Sequence, residues 1–178
     1  MYVCGYFEGT INFAHPSQPP AIHTANADSD GFVAKYNPNG MLVWEKIYIN
    51  GDYGGVYTID IKGHDEIYVT GGLTGKSDLD PGSDSLIVDG DIRTDVFVSK
   101  LTLDGDLVYS YHFEGNDVEG IRTEIVSTGS SKVFLHGFFY DNIDCDFTAG
   151  EYLLEAPGGA DVFVMGFSED NVISSVSD

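Results

Sequence analysis

Apolar residues in this chain fall in short runs divided by Gly, Asp, Asn and Pro, and the runs recur. Tyr2-Val3-Cys4-Gly5-Tyr6-Phe7 returns as Tyr68-Val69-Thr70-Gly71-Gly72-Leu73 and as Leu135-His136-Gly137-Phe138-Phe139, with Gly5, Gly71 and Gly137 each 66 residues apart. A second block reads Asp30-Gly31-Phe32-Val33-Ala34-Lys35, Asp95-Val96-Phe97-Val98-Ser99-Lys100 and Asp161-Val162-Phe163-Val164-Met165-Gly166. A third reads Met41-Leu42-Val43-Trp44, Asp106-Leu107-Val108-Tyr109 and Val172-Ile173-Ser174-Ser175. Asn39-Gly40, Asp104-Gly105 and Asp170-Asn171 precede it, pairs that suit a tight hairpin turn because they favour positive φ. A fourth block, Val56-Tyr57-Thr58-Ile59 and Ile121-Arg122-Thr123-Glu124-Ile125, occurs twice.

Each repeat therefore predicts four short strands, in the middle repeat over residues 56–61, 66–73, 96–101 and 106–113. The third strand is nearly continuous in apolar residues, as in Val96-Phe97-Val98. A half-solvated strand would alternate, so both faces of this one are expected to be covered. Sheets stacked between neighbours meet that demand in a β-propeller. A β-sandwich would alternate more cleanly, and a parallel β-helix would repeat on a shorter period. The predicted fold class is all-β: a partial β-propeller of about three four-stranded blades, at residues 1–54, 55–119 and 120–178.

The residues also resemble a known family. Tyr-Val-x-Gly, then Asp-x-Asp-Pro-Gly at 78–82, then Asp-x-Phe-Val-x-Lys at 95–100 and Asp-Gly-x-Leu-Val at 104–108 are similar to the bacterial β-propeller repeats called SBBP repeats. The resemblance spans almost the whole chain and is loosest in the third repeat, where Gly166 replaces Lys35 and Lys100. It implies a secreted or surface-attached bacterial protein and carries over no active site. In such propellers the first strand of each blade usually lies innermost. Residue 1 stands at the second strand of a blade, so the expectation is a piece of a longer propeller chain, or one completed by other chains.

Composition agrees with β structure: the chain of 178 residues holds 22 Gly, 11 Tyr and 11 Phe, with 42 % hydrophobic residues. The charge adds a constraint. Against 29 Asp plus Glu stand 8 Lys plus Arg, a formal net of −21. That repels nucleic-acid phosphate and anionic membrane surfaces, and it favours bound cations. No run of about 18 apolar residues offers a membrane insertion, and residues 1–20 read as strand and loop, so no signal segment is present in these residues. Cys4 and Cys145 form neither a disulfide framework nor a zinc pattern and read as partly buried free thiols.

The sharpest candidates for chemistry are Asp78 and Asp80, with Asp144 and Asp146 at the equivalent places. Residues two apart in an extended segment project to one side. Such a carboxylate pair beside a Gly-containing loop suits Ca²⁺, a hard cation that takes oxygen ligands. Pro81 and Gly82 interrupt any EF-hand spacing, and the first repeat offers only Asn12 and Ala14. The competing reading is a turn in which Asp caps backbone N–H groups. Asp30, Asp95 and Asp161 precede the third strand each time and are also read as caps. His15, His23, His64, His112 and His136 share no ligand spacing. No nucleophile elbow, P-loop or dinucleotide fingerprint occurs. Trp44, Tyr48, Tyr53 and Tyr57 are expected to pack between blades, with any exposed ones suited to stacking on sugar rings. The expected function is a binding or scaffold module with a protein or glycan ligand. The alternatives are a propeller glycosidase or lyase and a Ca²⁺-stabilised adhesin repeat.

Overall fold

The computed structural model describes residues 1–63, 65–90, 94–113, 124–127, 132–146 and 150–168, with backbone alone for 124–127 and Ser168. The chain is all-β, and no helix occurs among the described residues. The strands are β1 (Tyr2–Phe7), β2 (Thr10–Asn12), β3 (Ile22–Thr24), β4 (Asp30–Tyr36), β5 (Leu42–Tyr48), β6 (Gly54–Lys62) and β7 (Glu66–Leu73). There follow β8 (Lys76–Asp78), β9 (Ile87–Asp89), β10 (Asp95–Thr102), β11 (Leu107–Phe113), β12 (Glu124–Ser127), β13 (Lys132–Asp144) and β14 (Leu153–Ser168). They form three main antiparallel sheets, ordered β1-β4-β5, β6-β7-β10-β11 and β12-β13-β14, and none closes into a barrel.

The predicted strands of the middle repeat are the four strands of the second sheet, with ends shifted by at most two residues and the second strand matched at both ends. The predicted turns hold too: Gly40 and Gly105 sit at φ 77° and 83°. Only the glycine of each pair is left-handed, since Asn39 and Asp104 are not. Their neighbours satisfy the turn backbone, because Asn37 Oδ1 accepts the Asn39 and Met41 amides at 2.9 and 3.1 Å. The pair Asp170-Asn171, the block at 172–175, residues 121–123 and the expected 119/120 boundary lie outside the described residues.

One repeated element has no counterpart among the expected strands. After the second strand the chain turns into a small hairpin, β2–β3 in the first repeat and β8–β9 in the second. In the third it fuses with the main sheet, as residues 141–144 of β13 pair with the start of β14. The junction residues are Gly9, Gly75 and Asp141, 66 apart, with φ 62°, 65° and 57°. A left-handed residue redirects the strand there, and Asp is among the few non-glycine residues that tolerate it.

Within the sheets, Gly5, Gly71 and Gly137 lie opposite Phe32, Phe97 and Phe163 in register. The missing side chain makes room for the facing ring. A Cβ at Gly71 would sit 2.7 Å from the Phe97 ring and collide with the Gly55 carbonyl oxygen. Gly54 and Gly55 lie inside β6, and a Cβ at Gly54 would fall 2.5 Å from Asn50 Oδ1. Gly71 and Gly72 are close-packing residues of β7.

The sheets stack face to face. Val33 and Tyr48 of the first meet Val56, Ile67, Val69, Leu73, Phe97 and Leu101 of the second, and Tyr48 stacks on Phe97 at 5.2 Å. The 103–106 turn of the second sheet is held by the first: Lys35 Nζ and Trp44 Nε1 donate to the Leu103 carbonyl at 3.0 and 3.1 Å. On the opposite face Tyr68, Val96, Val98 and Phe113 meet Val133, Leu135, Phe139, Phe163 and Phe167 of the third sheet. This double cover explains the continuous apolar run of β10, which is buried from Asp95 to Leu101. In β14 the same run is covered on one face only. Phe163 and Phe167 turn inward, while Val162 and Val164 stand exposed.

Candidate functional site

The sequence-predicted Asp pairs lie at the tips of the small hairpins, and backbone amides occupy their inner oxygens. Asp78 Oδ1 accepts the Asp80 and Leu86 amides at 3.0 and 2.9 Å. Asp144 Oδ1 accepts the Asp146 and Tyr152 amides, both at 2.9 Å. Asn12 Oδ1 accepts the Ala14 and Ala21 amides at 3.1 and 3.0 Å. One oxygen thus closes the hairpin loop in all three repeats, and a neutral amide does it as well as a carboxylate. Asp80 Oδ1 accepts the Gly82 amide at 2.7 Å. Among the described residues no three His, Cys, Asp or Glu side chains gather where they would hold a metal ion.

This arrangement makes a direct prediction. Asp78→Ala, which leaves two amides without an acceptor, lowers stability by about 1–2 kcal/mol, whereas Asp78→Asn stays within about 0.5 kcal/mol. Urea denaturation with and without Ca²⁺ checks both. Equal losses in the two conditions are expected, and a loss confined to Ca²⁺ would establish a metal at the hairpin tip.

The Asp residues that open the third strand have diverged. Asp30 is a buried cap, its two oxygens accepting the Asn50 and Asn26 amides, each at 2.9 Å. Asp95 bonds His112 Nε2 at 2.9 Å, on the face of the second sheet that carries Leu73 and Phe97 and is turned to the first sheet. Asp161 is exposed on β14, so the common cap expected from the sequence does not extend to it. Lys35 and Lys100 do not pair with these residues: Lys100 Nζ lies 2.6 Å from Glu66 Oε1 and over the Tyr68 ring.

The other histidines are scattered. His23 Nε2 meets Glu45 at 3.1 Å, His15 bonds Ser17, and His136 lies half-buried on the outer face of the third sheet. His64 lies outside the described residues. Cys4 and Cys145 are free thiols, and burial pushes both up to about 11, the Asp144 carboxylate adding to the effect at Cys145. Both therefore stay protonated and weakly nucleophilic near neutral pH.

The aromatic residues divide. Trp44 and Tyr48 pack between the sheets, as expected. Tyr53 does not: it is 41 % exposed beside Tyr6, itself 50 % exposed, with ring centroids 6.1 Å apart. Tyr6 comes from β1 and Tyr53 from the residue before β6, so the pair spans the line where the first two sheets meet. Two glycines make room. A Cβ on Gly55 would come within 2.8 Å of the Tyr6 Cβ, and one on Gly72 would lie 3.0 Å from the Tyr57 hydroxyl. Partial burial, then Tyr6 and the Glu8 carboxylate, raise the Tyr53 phenol above its ordinary value, and burial pushes Tyr57 up to about 12. The result is a ledge of two accessible rings with a third, Tyr57, behind it and a carboxylate alongside. The sequence named Tyr53 and Tyr57 but not Tyr6, which lies far from them along the chain. Compared with family models, curated proteins and solved structures, the chain finds no match.

Proposed function

We propose that this chain is part of a β-propeller of SBBP-like repeats that serves as a binding scaffold at a bacterial surface or outside the cell. Three features support the propeller reading. The sheets stack in chain order, each repeat contributes one sheet, and the first strand of the middle sheet, β6, packs against both β1 and β12 of its neighbours. Strands placed like β6 line the axis of a propeller.

The observation that carries binding is the Tyr6–Tyr53 ledge. Tyr presents a broad apolar face with a polar tip and loses little rotamer freedom when it binds. Two such rings beside Glu8 suit a sugar, whose apolar ring face stacks while its hydroxyls donate to the carboxylate. The net charge of −21 favours neutral or cationic glycans over acidic ones. Titration with soluble neutral oligosaccharides, followed by tyrosine fluorescence and calorimetry, tests this. Wild type binds, while Tyr53→Ala and Tyr6→Ala each weaken binding at least about tenfold, ~1.4 kcal/mol. Equal affinity in wild type and both variants, or no glycan bound by wild type, defeats the reading.

A further inference from the structure

Asparagine followed by glycine is among the least durable steps in a polypeptide, and the sequence has two, Asn39-Gly40 and Asn50-Gly51. The glycine amide nitrogen attacks the asparagine Cγ, since no Cβ on the following residue stands in its way. The reaction requires that the carboxamide reach that nitrogen and that water enter. In an open chain the two steps are alike, and the fold treats them in opposite ways.

Asn50 is locked. It is 1 % exposed, and its Nδ2 donates to the Ser29 and Tyr48 carbonyls at 3.3 and 3.5 Å. A Cβ on Gly54 would fall 2.5 Å from Asn50 Cγ, so backbone already closes over the carbon to be attacked. The attacking group is held as well. The Gly51 amide donates to Ser77 Oγ at 3.1 Å, and a Cβ on Gly51 would come within 2.5 Å of the Lys76 nitrogen. All these contacts belong to the junction of the first two sheets.

Asn39 is open. It lies exposed in the turn between β4 and β5, and its carboxamide bonds no described residue. Asp104, at the same place in the second repeat, is exposed although the first sheet lies against its turn. Access to this position therefore does not depend on an uncovered sheet. The Gly40 amide is restrained by one turn hydrogen bond, to the Asn37 carbonyl at 3.0 Å.

We propose that Asn39 is a modification site of the folded chain, converting spontaneously to aspartate and isoaspartate while Asn50 survives. The Gly40 nitrogen gives its proton to hydroxide and bonds Asn39 Cγ, and the side-chain nitrogen leaves as ammonia. Water then opens the cyclic imide, and the Gly40 nitrogen regains its proton. Breaking its bond to Cγ gives aspartate. Breaking its bond to the backbone carbonyl gives isoaspartate, in which the chain runs through the former side chain. One water is consumed and one ammonia released. Aspartate reproduces the Asp104-Gly105 turn of the second repeat. Isoaspartate adds a backbone methylene between the Asn39 and Met41 amides, which share Asn37 Oδ1 at 2.9 and 3.1 Å, and so loosens this corner of the first sheet.

Trypsin separates the two sites, because cleavage after Lys35, Lys46 and Lys62 leaves Asn39 in 36–46 and Asn50 in 47–62. Asn37 does not react in this way, since Pro38 has no N–H. The full chain is stored at mildly alkaline pH, shown to be folded by circular dichroism, digested and analysed by chromatography and mass spectrometry. The expected 36–46 peptide gains the mass of a carboxyl in place of a carboxamide and splits into two products of equal mass. Asn50 reacts only through local opening, so it lags by at least about tenfold. Storage in urea brings the two to similar rates. Asn39→Gln, which would have to close a larger ring, leaves 36–46 unchanged. An intact Asn39 in the folded chain, where urea-stored chain converts, overturns the proposal. So does an Asn50 that keeps pace with Asn39 in the folded chain. Glycan binding at the tyrosine ledge is read separately, and neither result bears on the other.

Discussion

Val98→Asp unfolds this chain, whereas Val164→Asp leaves it folded. The two valines occupy the same place in successive repeats, and both lie on strands that pair with the same neighbour in the same register. Val98 is fully buried among Val96, Phe113 and the third-sheet residues Val133 and Leu135. A carboxylate placed there must either desolvate or take up a proton, since the nearby Lys100 is already engaged by Glu66, at a cost of several kcal/mol, on the order of the whole stability of a domain. The side chain of Val164 points to solvent, 71 % exposed, so its replacement removes little buried area. Thermal melting followed by far-ultraviolet circular dichroism separates the two. The expected result is no cooperative transition for Val98→Asp and a melting temperature within a few degrees of wild type for Val164→Asp. A folded Val98→Asp chain would mean that the second and third sheets do not stack.

Gly71→Ala is the second large effect, with a loss of about 3 kcal/mol or more. The added methyl has nowhere to go: it meets the Gly55 carbonyl on one strand and the Phe97 ring on the other. Backbone cannot yield without breaking the β6–β7 ladder, and Phe97 is itself pinned by Tyr48 at 5.2 Å. The equivalent change in the first repeat, Gly5→Ala, is milder, about 1 kcal/mol. There the nearest atom is the Phe32 ring at 3.1 Å, no backbone lies close, and Phe32 is only half-buried and can tilt away. Urea denaturation midpoints for the two variants give the comparison. Equal losses would mean that the glycine is required for strand geometry alone and not for the facing ring.

Much of the architecture was legible in the pattern of residues. The strands of the middle repeat, the turn glycines Gly40 and Gly105 and the double cover of β10 all follow from local composition. Short apolar runs between turn-forming residues have few other ways to fold. The small hairpins were not legible. Thr10-Ile11-Asn12 and Lys76-Ser77-Asp78 are too short and too polar to register as strands, and they are held by Asn12 and Asp78 side chains that cap amides eight or nine residues on. The left-handed hinge was visible as Gly9 and Gly75, but Asp141 hides it in the third repeat.

The candidate site divides in the same way. Asp78, Asp80, Asp144 and Asp146 were visible because the repeat displays them together, yet spacing alone could not tell a metal ligand from a cap. The orientation of Oδ1 towards two amides is a property of the folded loop. The Tyr6–Tyr53 ledge depends on strands of two different sheets coming side by side, and no local pattern encodes that encounter.

The sequence by itself determined which segments become strands, which residues turn the chain, and which faces of those strands are apolar. These are short-range choices, set by backbone preference and the alternation of side chains. Tertiary structure alone decided which of those apolar faces is covered. Val98 and Val164 are the same residue in the same place, and they differ only in whether another sheet lies against them. Burial depends on a neighbour and not on the residue itself, so the identical pattern yields a core in the middle sheet and an open surface on the third.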